Sequence, residues 1–150
     1  MSRPSGPYVH SLLYFATTDA YPRCLYNVSF ISRNFKLLKM LDLESINMGN
    51  SFASGIDLLV HLHYLVVGGD IDSIPPSLAN LRNLEILIVK GLKGNEVIVP
   101  DSIWGLRRLR HVHVKNIAAF IFEATTFTGS DFQLKDPVSL SIPSLFYRDI

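Results

Sequence analysis

The chain has 150 residues, 48% of them apolar, with a mean hydropathy of +0.25. That is ample for one folded domain with a core and too apolar for a disordered segment. Fourteen basic residues against 13 acidic ones leave a formal net charge of +1, so the strong basic footprint of a nucleic-acid binder or of a protein held on an anionic membrane is missing.

Cys24 is the only cysteine, so no internal disulfide can form, and a reducing setting is compatible with that. No apolar run approaches the roughly 20 residues of a membrane helix. The longest, "VKNIAAFIFEATTF", is broken by Lys115, Asn116 and Glu123.

In chain order, residues 1–8 read as a flexible tail. "VHSLLYF", residues 9–15, predicts a first strand with Val9, Leu12 and Tyr14 directed to a core. His10 interrupts this short apolar stretch, which argues against a secretory signal and for a cytoplasmic location. Asn27-Val28-Ser29 matches a glycosylation sequon, but carries little weight without such a signal. An insertion around "TDAYPRC" separates this strand from the next apolar segment, which begins at Phe35.

Four segments then share one template. They are "FKLLKMLDLESI" (35–46), "LVHLHYLVVGGD" (59–70), "LRNLEILIVKGL" (81–92) and "LRRLRHVHVKNI" (106–117). The first apolar column falls at 35, 59, 81 and 106, in steps of 24, 22 and 25 residues. The second column (38, 62, 84, 109), the third (41, 65, 87, 112) and the fourth (43, 67, 89, 114) move by the same steps. Four columns moving together are the signature of a leucine-rich repeat.

The template joins two periods. In its second half, alternation sends Leu87 and Val89 inward and Ile86 and Ile88 to the opposite face of a strand. Its first half has an apolar residue at every third position, the habit of a near-3₁₀ coil. One such unit cannot bury its own leucines and needs neighbours on both sides. The connecting segments repeat as well: "SIPPSLANL" aligns with "IVPDSIWGL", with Pro75 and Pro100 opening a turn and Leu78 and Ile103 directed to the core. "SFASGIDLL" is a weaker copy. Near the C-terminus, Leu134, Leu140 and Ile142 offer a further strand, although Pro137 stands where a leucine is expected and cannot donate to a ladder.

The expected fold is therefore α/β: a leucine-rich repeat solenoid over residues 9–150, with about 4–6 repeats. A curved parallel sheet would form its concave face, and irregular or short helical segments its convex side.

Three columns point away from the core. They run Ser11, Met40, Tyr64, Ile86, His111; then Leu13, Asp42, Val66, Ile88, His113; then Phe15, Glu44, Gly68, Lys90, Lys115. Met40, Tyr64, Val66, Ile86 and Ile88 would form an apolar strip. Asp42 and Glu44 would flank it at one end, and Arg110, His111, His113 and Lys115 at the other, with Lys90 a further candidate contact on this face. An apolar patch with charged ends is the composition of a protein-binding surface.

Other chemistries fare worse. His111 and His113 share one strand face, but no third zinc ligand converges: His63 is two repeats away and Glu85 stands in a different column. Asp101, Ser102 and His111 are the residue types of a hydrolase, yet repeat geometry puts Ser102 on the outer side and His111 on the strand face, with the core between them. The "VVGGD" glycines suit a strand-to-turn loop rather than a phosphate loop, since no helix signal comes after them. No enzyme activity and no metal are expected.

"FKLLKMLDLES", "LVHLHYLVVGGDIDSIPPSLANLRNLEILIVKGLKG", "VPDSIWGLRRLRHVHVK" and "SIPSLFY" resemble the leucine-rich repeat region of plant intracellular immune receptors. The likeness is to coiled-coil NLR disease resistance proteins of the late-blight type. It implies a recognition module in plant defence. The implied partners are a pathogen effector, a host guardee, or the nucleotide-binding domain of the parent receptor. The nucleotide-binding motif of that family, GxxxxGK[ST], has no match: Gly91 and Gly94 in "KGLKGN" have the wrong spacing, so no cofactor is implied. The alternative is a truncated, non-functional or purely structural receptor fragment, because the ends of a short stack expose core leucines unless they are sealed.

Overall fold

The structure is a computed structural model and describes residue 6 and residues 8–15, 29–47, 55–91, 96–115, 119–122 and 139–141. Its strands are β1 (Ser11–Leu13), β2 (Met40–Asn47), β3 (Tyr64–Gly69), β4 (Ile86–Gly91), β5 (Glu96–Val99), β6 (His111–Lys115), β7 (Ala119–Phe122) and β8 (Ser139–Ser141). Six of them form one sheet in the order β1-β2-β3-β4-β6-β8, every pair parallel. Parallel neighbours need a long crossover, and paired positions lie 21 to 29 residues apart, which supplies it.

The columns read from the sequence become the register of the sheet. Leu12, Leu41, Leu65, Leu87, Val112 and Leu140 pair in one row across all six strands. Leu43, Val67, Val89 and Val114 form the next row. Leu41, Leu65 and Leu87 are fully buried, and each such side chain contributes about 2 kcal/mol of transfer free energy relative to exposure.

The starts of β2, β3, β4 and β6 are locked in the same way. The carbonyl of Lys39 accepts the N–H groups of His63 and Tyr64, at 2.8 and 3.1 Å. The carbonyl of His63 accepts those of Glu85 and Ile86, and that of Glu85 those of Arg110 and His111. His10 does the same for Lys39 and Met40. A one-residue slip would break these forks and turn every leucine outward.

The segments between strands pack as a second layer over the core. They comprise α1 (Ser29–Asn34) and three short 3₁₀ turns, Ile56–Leu58, Pro76–Asn80 and Asp101–Gly105, each touching the next. Pro76 opens the second turn, and Leu78 and Ile103 are buried beneath theirs. The turn just before each strand is also shared: the N–H groups of Leu38, Leu62, Leu84 and Leu109 each bond the carbonyl three residues back. That spacing is why the apolar residues there recur in threes.

Three features depart from the reading of the sequence. Tyr14 is exposed (44%) rather than part of the core, and β1 ends at Leu13. Val9 and Leu12 do pack against the core, partly buried. A second, two-stranded parallel sheet joins β5 to β7, and a bridge from Ser73 to Ile98 extends its pairing toward the preceding connection. This sheet takes part of the apolar run that contains Phe120 and Ile121. Strand β8 exists but is only three residues long. Leu134, Pro137, Ile142, the sequon Asn27 and most of the tail at 1–8 lie outside the described residues. No helix among the described residues is long and apolar enough to cross a membrane.

Candidate functional site

The sheet face opposite the core carries the residues singled out above. Ser11, Met40, Tyr64, Ile86, His111 and Ser139 pair in one row; Leu13, Asp42, Val66, Ile88, His113 and Ser141 pair in the next. Met40 is 38% exposed. Tyr64, Ile86, Ile88 and His113 are half-buried, and His111 is exposed. Arg110 is exposed in the turn just before β6, and Lys115 is in register with Lys90.

Val66 differs from the expectation. It stands on this face, outside the core cluster, yet is only 1% exposed. Its row neighbours are Asp42 and Ile88. It is therefore part of the floor of the strip. The accessible apolar residues are Met40, Tyr64, Ile86 and Ile88.

The third column is corrected too. Glu44 does not pair with Gly68. The register between β2 and β3 jumps after Leu43, so that Asn47 pairs with Gly68 and the residues between bulge. The bulge brings the Glu44 backbone directly against Gly68: a Cβ placed on Gly68 would overlap the Glu44 carbonyl oxygen and lie 3.1 Å from its carbon. Only glycine fits under such a backbone approach. The next residue, Gly69, has φ 135, a region that side chains disfavour. The two glycines of "VVGGD" thus have different reasons.

Absence of a side chain at Gly68 also lets charges meet across β3. Lys90 Nζ donates to Glu44 Oε1 at 2.9 Å. The pair joins an acidic and a basic residue of the third column. Both groups are partly exposed, so the pair contributes up to about 1 kcal/mol. Asp42 Oδ1 accepts the Glu44 N–H at 3.0 Å and helps to hold the bulge. Beside them, burial, and then the carboxylates of Asp42 and Glu44, push the Tyr64 phenol above its ordinary value of 10.0. Tyr64 is therefore a neutral phenol at neutral pH, beside two carboxylates. One repeat further, His63 Nδ1 lies 3.2 Å from Glu85 Oε1.

Together these groups form a shallow face with apolar residues in the middle rows, an acidic bulge on β2 and histidines and basic residues toward β6. Among the described residues no three His, Cys, Asp or Glu side chains cluster as metal ligands.

A second concavity has almost no counterpart in the sequence pattern. Ala79, Arg82, Asn83, Gly105, Leu106, Arg107 and Arg108 line a depression of roughly 570 Å³. It lies where two 3₁₀ turns run into β4 and β6. The only sequence signal is that the variable positions inside "LRNL" and "LRRL" carry arginine in successive repeats.

No family model matches the chain. Curated relatives do. A Solanum demissum protein named as a late blight resistance protein homolog, R1B-16, is 40% identical over 118 residues, covering 79% of this chain and 9% of the relative. Homolog R1B-8 from the same species is 39% identical over 107 residues, 67% of this chain and 9% of the relative. Homolog R1B-12 is 34% identical over 151 aligned residues, 95% of this chain and 11% of the relative. The chain spans about a tenth of the length of these relatives. By sequence it is related to one short segment of the plant resistance proteins named late blight resistance protein homologs.

Proposed function

We propose that the chain is a leucine-rich repeat module that recognises a protein partner in plant defence, acting in the cytoplasm and catalysing no reaction. The solenoid reading draws on the four apolar columns, which recur every 22 to 25 residues and pair row by row in a parallel sheet. The defence reading draws on the names of its relatives. The binding surface is the sheet face opposite the core.

The single observation that carries the proposal is the make-up of that face. Met40, Tyr64, Ile86 and Ile88 keep accessible apolar surface in adjacent rows. Half-buried aromatic and aliphatic anchors between charged flanks are how protein interfaces concentrate their energy. The fitting partners are a pathogen effector, a host guardee or the nucleotide-binding domain of a parent receptor.

The test is a binding screen of the chain against secreted effectors of a late blight pathogen. Each hit is repeated with Met40→Lys/Ile88→Lys and with Leu58→Lys/Val60→Lys, which alters exposed apolar residues away from the face. Loss of roughly 2 kcal/mol or more, about 30-fold in affinity, is expected for the first variant alone. Hits that survive it, or that are lost only with the second, would overturn the proposal. Unfolding curves for both variants establish that each is folded.

A further inference from the structure

We infer that the depression between the second and third 3₁₀ turns is a binding site for a phosphate-class polyanion, held by Arg82, Arg107 and Arg108. The three arginines come from two successive repeats: Arg82 in "LRNL" and Arg107 in "LRRL" hold the same template position, and Arg108 holds the next. They line a single depression of roughly 570 Å³ that has no carboxylate in its wall. Small residues make the room. Ala79 closes one side, and a Cβ added to Gly105 would meet nothing within 4 Å.

The bland account is that arginines gather at the carbonyl ends of short helical turns. Four of the carbonyls there already accept a backbone N–H. Leu78 O accepts from Leu81, Asn80 O from Arg82 N–H, Ile103 O from Leu106, and Leu106 O from Leu109. Among the described residues none of the three guanidinium groups has a hydrogen bond or an ion pair. Each offers five donors in a planar fork matched to phosphate oxygens. Three unspent forks around one hollow are an unfavourable gathering of like charge, and a multivalent anion would relieve it.

The surroundings act in the same direction. At the edge where strands begin, residues 36–39, 60–63, 82–85 and 107–110 include six lysines and arginines and one acid, Glu85, which faces His63. Six of the 14 basic residues of a chain with a net charge of +1 thus stand along one edge. That edge would draw an anion toward the hollow.

The experiment is calorimetric titration of the full chain with tripolyphosphate at low salt, with orthophosphate as a second probe. Saturable one-site binding of tripolyphosphate is expected, tighter than that of orthophosphate. R107Q/R108Q should weaken it at least tenfold and R82Q severalfold. K36Q/K39Q, on the same edge but outside the hollow, should leave it within twofold. Absence of saturable binding, or equal loss in K36Q/K39Q, would overturn the inference. Vesicles containing a phosphoinositide and a single-stranded RNA probe distinguish other sources of phosphate. Binding of either that tripolyphosphate fails to displace would place the anion on the open surface and sink the site. Thermal melts of each variant confirm folding.

Discussion

Replacing Gly68 by alanine tests the geometry of the candidate face at its tightest point. The new Cβ would overlap the Glu44 carbonyl oxygen, 3.1 Å from the carbonyl carbon and 3.3 Å from the Cα of Glu44. These are backbone atoms of a bulged strand, so no side-chain rotation can make room. Either the bulge shifts away from β3 or the Asn47–Gly68 pairing opens. Overpacking of this kind costs about 1–3 kcal/mol. Displacing the bulge would also pull Glu44 from Lys90, adding up to about 1 kcal/mol. We expect a total of about 3 kcal/mol. With a urea m-value of about 2 kcal/mol/M, the midpoint should fall by roughly 1.5 M at an unchanged slope. Gly105→Ala is the internal control. Nothing lies within 4 Å of its added Cβ, so its stability should change by less than about 0.5 kcal/mol or rise slightly. A Gly68→Ala protein as stable as the parent would refute the bulge, and with it the account of how Glu44 reaches Lys90.

Three further outcomes are expected. Leu87→Ala, at a fully buried position on a central strand, should lose about 2–5 kcal/mol in chemical denaturation, in line with cavity-forming substitutions. Lys90→Met should lose at most about 1 kcal/mol, and the difference from the parent should shrink at high salt. Tyr64→Phe should flatten the alkaline limb of the stability curve. The folded state holds the phenol proton more tightly than the unfolded state, so this contribution is complete below about pH 10 and is lost as pH rises through the raised folded value. Parallel unfolding curves from about pH 8 to about pH 11.5 would read this as a parent that weakens faster than Tyr64→Phe.

Much of the fold is legible in the sequence because burial and spacing are the same constraint here. A leucine at 41, 65 and 87 must lie on one face if the strands stack in register, and it does. What spacing cannot carry is anything set by contact across strands. The jump after Leu43 is invisible in a repeat that resumes on time, so spacing aligns Glu44 with Gly68 when their true relation is a backbone contact. Val66 sits at an outward position by alternation but is buried. Alternation assigns a face and says nothing of the depth at which a small side chain ends up. The β5–β7 sheet escapes the pattern because its strands are four residues long and lie in segments of unequal length. The arginine-lined hollow escapes it for a related reason. Its residues occupy the variable positions of the template, and their convergence depends on turns from two repeats lying side by side.

Partner recognition by the sheet face is the central claim, and methyl shift mapping tests it most directly. The chain, labelled at its Met, Ile, Leu and Val methyl groups, would be titrated with a protein captured in the effector screen. The account predicts that the methyl signals of Met40, Ile86 and Ile88 move or broaden while those of Leu58 and Val60 hold still. Shifts confined to Leu58 and Val60, with the sheet-face methyl groups unmoved at saturation, would contradict it.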